Sequence, residues 1–359
     1  MNIVELLNQL NFTTLFLIFI VSKLFIETYL KTRNIKSINE NKEKIPERFT
    51  DVVTDEEYKK SINYNIERIR FSILTSVFGV GVLLFFTIGG ILNNLTVFVQ
   101  AITASNILGA ILLGLLLIVI GEIIEIPLAV YSTFYIEEKY GFNKTTTKTF
   151  VTDLFKNLLI QSIFSSILYA IVISIIENLG NNWWIFAFVA VFLLQLVIFY
   201  IYPVLILPLF NKFEPLEDEK FKEPIERLLK KIKFKAKGLF VMDGSLRSSH
   251  GNAFFTGFGS NKRIVFYDTL LETITPDEME SILGHELGHY KLGHIKKTLI
   301  SSIFFGFAGF YILGQVFQSE NFFYGHGLDE LTVYSKFLLF YLVVGSYTFF
   351  TKPITSFIS

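Results

Sequence analysis

Two histidines four residues apart, with a glutamate directly after the first, are the residues in this sequence best suited to chemistry. They are His285, Glu286 and His289, in the pattern H-E-x-x-H. Side chains four residues apart on a helix project from one face, so both imidazoles can bind one tetrahedral zinc ion. The glutamate can then act as a general base on a metal-bound water. The pattern predicts a hydrolytic site with one Zn²⁺ per chain.

The residues before this motif predict the helix that positions it. Thr275 suits the N-cap, Pro276 suits the first helical position, and Glu278 completes a capping box with Thr275. The motif then begins about three turns into a capped helix. The alternative interpretation is a solvated helix that carries two histidines by chance.

The composition is that of a membrane protein. Of 359 residues, 52% are hydrophobic and 40 are Phe, well above what a soluble domain carries. The formal net charge is zero, so nothing indicates a nucleic-acid partner. The absence of cysteine excludes thiolate zinc ligands, disulfides and a cysteine nucleophile. Any metal must therefore be held by histidine and carboxylate.

Seven apolar stretches are long enough to cross the roughly 30 Å hydrocarbon layer of a membrane. They lie near residues 8–30, 71–92, 105–126, 154–176, 183–207, 298–318 and 331–351. The first is not a cleavable signal peptide, because no basic segment precedes it and no small-residue cleavage site follows it. We therefore expect a multi-pass membrane protein with seven helices.

Basic residues alternate between the loops that join these stretches. Loops 31–70, 131–156 and 211–297 contain ten, four and fifteen Lys and Arg residues, and the other loops contain none. By the positive-inside rule, this alternation predicts an N-terminus outside and an H-E-x-x-H segment in the cytoplasm. Loop 31–70 also carries many acids, so we expect it to be a solvated helical connector.

Several polar residues and one proline lie at informative places in or between the apolar stretches. Glu122 and Glu125 lie at the end of the third stretch, where they either line a cavity or sit at the membrane interface. Pro127 follows and is expected to kink or end that helix. His294 is predicted as a surface or supporting residue, five positions after His289 on the same helix, and His326 as a solvated loop residue.

Residues 208–297 form the only sizeable segment outside these stretches. Residues 217–237 have apolar side chains at helical spacing among charges, which predicts an amphipathic helix. Three strands are predicted at 239–243, 252–258 and 262–268, the last two joined as a hairpin through Gly259-Ser260-Asn261. A small sheet should therefore lie beside the H-E-x-x-H helix, where an edge strand can pair with an extended peptide substrate.

Four separate blocks of this sequence carry a family resemblance. They are residues 136–146, 208–213 and 247–257, and the H-E-x-x-H helix, in that order. With them the whole chain resembles integral-membrane zinc metalloproteases of the CAAX prenyl protease 1 type.

The resemblance implies an all-α multi-pass membrane protein in which seven transmembrane helices form a barrel around a chamber, with a small α+β zincin-like cytoplasmic domain. It divides the chain into an N-terminal membrane domain, 1–207, with five of the helices, and a zinc peptidase domain, 208–359, with two more. It also places Asn252, Ala253 and Phe254, with His250, along the substrate cleft. The expected activity is that of a zinc metalloendopeptidase that removes the C-terminal tripeptide of prenylated CAAX proteins or degrades membrane proteins.

One departure from the family concerns the third zinc ligand. Family members supply it as a glutamate shortly after the seventh stretch, in a segment that begins much as residues 352–359 do, where this sequence stops. Two alternatives follow. Either the sequence belongs to an active zinc endopeptidase and ends just short of the ligand, or it is a truncated or pseudo-enzyme membrane protein with an incomplete zinc site.

The expected partners are a peptide or protein substrate, prenylated in the eukaryotic relatives, and the lipid bilayer, with no nucleic acid. Abundant Ile, Lys, Asn and Phe suggest an AT-rich genome. This favours a bacterial inner membrane, with the endoplasmic reticulum membrane as the expectation for a eukaryotic source.

Overall fold

The computed structural model describes residues 3–43, 45–232, 234, 237–256 and 263–358. Within these residues the chain is mostly helical, with one small sheet. The helices are α1 (Ile3–Asn41), α2 (Asp55–Phe86), α3 (Ile91–Ile102), α4 (Asn106–Tyr131), α5 (Thr147–Asn178), α6 (Trp183–Ile201), α7 (Leu207–Phe210), α8 (Glu219–Lys231), α9 (Asp268–Thr273), α10 (Pro276–Lys291), α11 (His294–Val316), α12 (Glu320–Gly325), α13 (Val333–Thr348) and α14 (Lys352–Ile358). The strands are β1 (Phe213–Pro215), β2 (Gly238–Met242), β3 (Ala253–Thr256) and β4 (Arg263–Tyr267).

Seven helical segments of the described chain are long and apolar enough to cross a membrane, which confirms the predicted number. They are Asn11–Asn41, Asp55–Phe86, Asn106–Glu137, Thr147–Asn178, Gly180–Phe210, Lys296–Val316 and Val333–Phe357. The polar connector 31–70 is largely helical, because it is formed by the extensions of α1 and α2 beyond their apolar parts.

One predicted boundary of these helices was wrong, and of the two effects expected of Pro127, a kink or an end of the helix, the second does not occur. The second apolar stretch does not continue to residue 92. It ends at Phe86, and Gly90, with φ +76°, leads into the separate helix α3, because glycine adopts left-handed backbone without steric cost. Pro127 does not end α4, which continues to Tyr131 and passes into a wider π-helical turn over Ser132–Glu137. Membrane helices tolerate an internal proline when local π adjustments satisfy the freed backbone groups.

The chain divides into two compact units. One comprises Met1–Ile136, Ile160–Phe188 and Phe307–Phe357, and the other Glu137–Leu159, Val189–Gly306 and Ile358–Ser359. In the first unit α1 packs on α2, α12 and α13, and α4 packs on α3 and α13. Glu125 is exposed and lines an open pocket of about 570 Å³ in this unit, bordered by α2 and α4, as the cavity alternative expects for that residue. Glu122, in the same helix, is half-buried and does not line this cavity.

The prediction that His326 is solvated was wrong. The loop after α11 folds into the short helix α12, which packs against α1, and His326 at its end has no exposed surface. Its Nδ1 lies 2.6 Å from the Phe322 carbonyl oxygen and its Nε2 2.8 Å from the Tyr347 hydroxyl oxygen. The Phe16 ring packs 4.5 Å from the imidazole, centroid to centroid. This histidine is therefore part of the packed core of the first unit.

The second unit contains the sheet, with strand order β1-β2-β4-β3. β2 runs parallel to β4, while β1 and β3 pair antiparallel with β2 and β4. The three predicted strands and the predicted pairing of β3 with β4 are confirmed, and β1 was missed. The turn Gly259-Ser260-Asn261 lies outside the described residues. The predicted amphipathic helix is confirmed as α8. Its Phe221, Ile225 and Leu229 are buried in one core with the sheet and α10.

Candidate active site

The helix that carries the H-E-x-x-H motif begins as the sequence predicts. Thr275 precedes the first residue of α10, Pro276. The Glu278 carboxylate accepts hydrogen bonds from the Thr275 N–H at 2.7 Å and from the Thr275 hydroxyl at 2.9 Å. In return, the Thr275 hydroxyl oxygen accepts a hydrogen bond from the Glu278 N–H at 3.4 Å. These donors stabilise the ionised carboxylate and lower the pKa of Glu278. The capping box therefore fixes where the helix starts and hence where each later residue falls.

One face of α10 is used for packing. Met279, Leu283 and Leu287, which are four residues apart, are buried against the sheet and α8. His285 is exposed and Glu286 is half-buried. Each residue of an α-helix is rotated by about 100° from the one before it. His285 follows the buried Leu283 by two residues, about 200°, and so lies roughly opposite the buried side chains. The core thus leaves the histidine-bearing face of the helix available.

The glycines that precede the two histidines border open space among the described residues. A Cβ atom added at Gly284 or at Gly288 would have no neighbour within 4 Å among the described residues. α10 continues without a break through position 289, so the predicted four-residue helical spacing is present. The side chain of His289 lies outside the described residues.

The expectation that His294 lies on the same helix as the motif was wrong. α10 ends at Lys291, and Gly293, with φ +70°, turns the chain before α11 begins at His294. Left-handed glycine is the usual C-terminal stop of a helix. The angular position of His294 relative to the motif therefore cannot be counted along one helix.

The donor set fits a metal ion that prefers imidazole. His285 is exposed on the unpacked face of α10, and one helical turn separates it from position 289. Two imidazoles at this spacing are suited to zinc, with Glu286 beside the first. Among the described side chains, which do not include that of His289, no group of three or more His, Asp or Glu residues could hold a metal ion.

β3 is one of the two edge strands of the described sheet, with β1 at the other edge, and it packs against α10. The Asn252 carbonyl oxygen accepts from the Tyr267 N–H at 2.9 Å. Hydrogen-bonded and non-hydrogen-bonded pairs alternate along an antiparallel ladder, so the N–H and C=O groups of Ala253 and Phe255 face away from β4. The Ala253 and Phe255 side chains pack on the core, and the Phe254 side chain takes the other face. The edge can therefore offer backbone groups to an added strand.

Asn252 is exposed and already interacts with this edge. Its side-chain oxygen accepts from the Ala253 N–H at 2.8 Å. That N–H is one of the groups that face away from β4. An incoming peptide would therefore meet the Asn252 side chain at this point of the strand.

His250 lies in the loop that leads to β3. Its ring stacks on Phe142, with the centroids 4.3 Å apart, and its Nε2 lies 3.5 Å from a carboxylate oxygen of Glu137. The His250 carbonyl oxygen accepts from the Thr269 hydroxyl at 3.0 Å. The loop is thus bound to the first sequence block on one side and to α9 on the other.

Arg247 is a residue whose role the sequence did not reveal. Arg247 is the first residue of the block 247–257, and the sequence indicated no further role for it. Its side chain connects this block to Asp153 on α5 and to Phe210 and Asn211 in the block 208–213. One available signal was an acidic residue, Asp153, directly before the predicted apolar stretch 154–176. A buried charge of this kind usually has a partner.

Taken together, seven candidate membrane helices, a small sheet and an H-E-x-x-H helix beside an edge strand define a multi-pass membrane metallopeptidase. Residues 34–212 match the family described as "CAAX prenyl protease N-terminal, five membrane helices", and residues 215–358 match "Peptidase family M48". The chain belongs to peptidase family M48, and within it to the CAAX prenyl protease 1 type.

The similar proteins cover most of the chain. It is 34% identical to a CAAX prenyl protease 1 homolog of Arabidopsis thaliana, over 90% of this chain and 77% of the relative. It is 33% identical to CAAX prenyl protease 1 of Saccharomyces cerevisiae, over 88% of this chain and 72% of the relative. The crystal structure of S. mikatae Ste24p superposes with a TM-score of 0.86 at 28% identity, covering 96% of this chain and 83% of the other. The expected class, a membrane metalloprotease acting on peptides or proteins, is confirmed.

Proposed function

We propose that this protein is a zinc endopeptidase that cleaves prenylated proteins near their C-terminus, at the membrane surface. The observation that carries the proposal is the arrangement of α10 and β3: an exposed His285 and a half-buried Glu286 lie on a helix packed against an open strand edge. The names of the relatives, CAAX prenyl protease 1, support the substrate class.

His285 and His289 would hold the zinc ion. When bound, zinc would act as a Lewis acid and lower the pKa of a water molecule. Glu286 takes a proton from the attacking water and passes it to the nitrogen of the leaving amine as the C–N bond breaks. The water oxygen stays on the carbonyl carbon, so the products are a carboxylic acid and an amine.

The substrate would bind as an additional strand along β3. The outward-facing carbonyl oxygen of Ala253 and N–H of Phe255 would pair with its backbone. Asn252, which can both donate and accept, would exchange its bond with the Ala253 N–H for one with the substrate. Recognition through the backbone would tolerate varied side chains, while His250 lines the approach to the strand.

We further propose that the site faces the cytoplasm. The alternation of basic loops supports placing α10 on the cytoplasmic side. The composition alone supports a bacterial inner membrane over the endoplasmic reticulum. The division into domains at 1–207 and 208–359 stays a prediction.

The test compares the full-length protein with Glu286→Gln and with Glu280→Gln, which makes the same change on an exposed residue of the same helix. A peptide with a farnesylated cysteine is the substrate, and products are measured by mass spectrometry. We expect Glu286→Gln to retain zinc and lose several orders of magnitude in rate, with Glu280→Gln unaffected. Full activity of Glu286→Gln would exclude the assigned base. Purified protein that binds no zinc and cleaves nothing would favour the pseudo-enzyme alternative.

A further inference from the structure

The Arg247 side chain forms a fork-shaped set of hydrogen bonds with three residues of the second unit. Its Nε and one terminal nitrogen donate to the two carboxylate oxygens of Asp153, at 2.7 and 3.0 Å. The other terminal nitrogen donates to the Asn211 side-chain oxygen at 2.9 Å. The terminal nitrogen that contacts Asp153 also donates to the Phe210 carbonyl oxygen at 2.7 Å. Arg247 is 26% exposed and Asp153 18%, so the pair is poorly screened by solvent. Arginine is needed here because a lysine cannot make the two-pronged contact.

This set of contacts, hereafter the Arg247 latch, joins the ends of two membrane helices. Asp153 lies in the second turn of α5, near the start of the candidate span Thr147–Asn178. Phe210 is the last residue of the span Gly180–Phe210. The Arg247 latch therefore attaches the loop before β3 to the ends of two candidate membrane helices.

The chain between Arg247 and the edge strand has little freedom. β3 begins at Ala253, six residues after Arg247. Within this stretch the Ser249 N–H donates to the Phe142 carbonyl oxygen at 3.1 Å. The Arg247 carbonyl oxygen itself accepts from the Lys144 N–H at 3.1 Å and from the Thr145 hydroxyl at 3.0 Å. A displacement of Arg247 would therefore be transmitted to the start of β3.

We propose that Arg247 is a positioning residue that fixes the height of β3 above the membrane and thereby selects which peptide bond of a lipid-anchored substrate is cut. This inference rests on the function proposed above. A substrate held by its lipid presents each peptide bond at a set distance from the membrane, and an extended chain advances about 3.3 Å per residue. Loosening the latch by a few ångströms is enough to bring a neighbouring bond to Glu286.

The test uses Arg247→Lys, which keeps the charge and loses the fork, and Asp153→Asn, which keeps the shape and removes the charge. Arg227→Lys, on the exposed face of α8, is the matched control. Each full-length protein is reconstituted in phosphatidylcholine vesicles and given a farnesylated peptide or the same peptide without its lipid. Cleavage sites are mapped by mass spectrometry, and kcat and KM are measured separately.

We expect wild type and Arg227→Lys to cut the lipidated peptide at one bond. Arg247→Lys and Asp153→Asn should each add products displaced by one or two residues and lower kcat/KM for the original bond about tenfold. The double variant should be no worse than either single variant, because both changes break the same contact. On the peptide without lipid, the variants and wild type should give the same mixture of products.

Two outcomes would overturn this role. One is a single, unchanged cleavage site in both variants, whatever their rate. The other is a fall in rate that matches the loss of folded protein, measured by thermal stability and by elution as a single species in detergent, because that would indicate a purely structural role. Glu286→Gln in the same assay separates this failure from a failure of the proposed function, since only the latter would leave that variant active.

Discussion

Acidification should destabilise the first unit through His326. Burial lowers the pKa of His326 from 6.5 to about 4, against the opposing effect of the Phe322 carbonyl, which accepts from Nδ1. Because the Nδ1 proton is committed to that carbonyl, Nε2 is left to accept from the Tyr347 hydroxyl. The folded protein therefore holds the neutral ring in one tautomer, and a second proton on Nε2 would break the bond with Tyr347.

The direction and size of the effect follow from the two pKa values. The folded-state pKa lies below that of the unfolded chain, so the unfolded chain binds more protons between pH 6.5 and 4. The stabilisation is complete above pH 6.5 and is lost as the pH falls to about 4. A pKa difference of about 2.5 corresponds to about 3 kcal/mol at the acid end. For a chain of this size that is a change in Tm of roughly 5 °C.

The measurement compares wild type with His326→Gln in detergent, at one heating rate, from pH 4 to pH 8. Glutamine can donate to the Phe322 carbonyl and accept from Tyr347, yet it does not titrate in this range. At pH 8 we expect the variant to be less stable, because its shape differs from the imidazole that packs against Phe16 and Phe322. As the pH falls towards 4, wild type should lose this advantage. Every other titrating group is shared, so parallel curves for the two proteins would refute the reasoning.

Two further predictions concern the substrate strand and the topology. Asn252→Ala should lower kcat/KM for the farnesylated peptide at least tenfold with zinc content unchanged. The control Asn65→Ala, which changes an exposed residue of α2, should have no effect. Unaltered kinetics of Asn252→Ala with lowered thermal stability would show that Asn252 stabilises the turn before β3 and does not bind substrate. Cysteines introduced at the exposed positions Glu223 and Asn181 should be labelled by a membrane-impermeant maleimide only from the cytoplasm and only from outside, respectively. Labelling of both from one side would contradict the seven-helix topology.

Features that depend on residues close together in the chain could be predicted from the sequence alone. The capping box of Thr275 and Glu278 forms between residues three apart, so its pattern could be recognised before any fold was known. The spacing of His285 and position 289 follows from helix periodicity. The seven spans follow from length and apolar composition, because only a helix satisfies its own backbone in lipid.

Contacts between segments that are far apart in the chain depend on the folded arrangement and could not be predicted. Arg247 and Asp153 are 94 residues apart, and the residues around each of them in the sequence do not indicate that they form an ion pair. The strand order β1-β2-β4-β3 depends on how the sheet packs on α8 and α10, and β1, with three residues, has too little pattern to be recognised alone. His326 looked like a solvated residue because it lies in a loop between two predicted membrane stretches. It is buried because α1 and α13, far from it in sequence, supply the packing and the hydrogen-bond partner that make burial favourable.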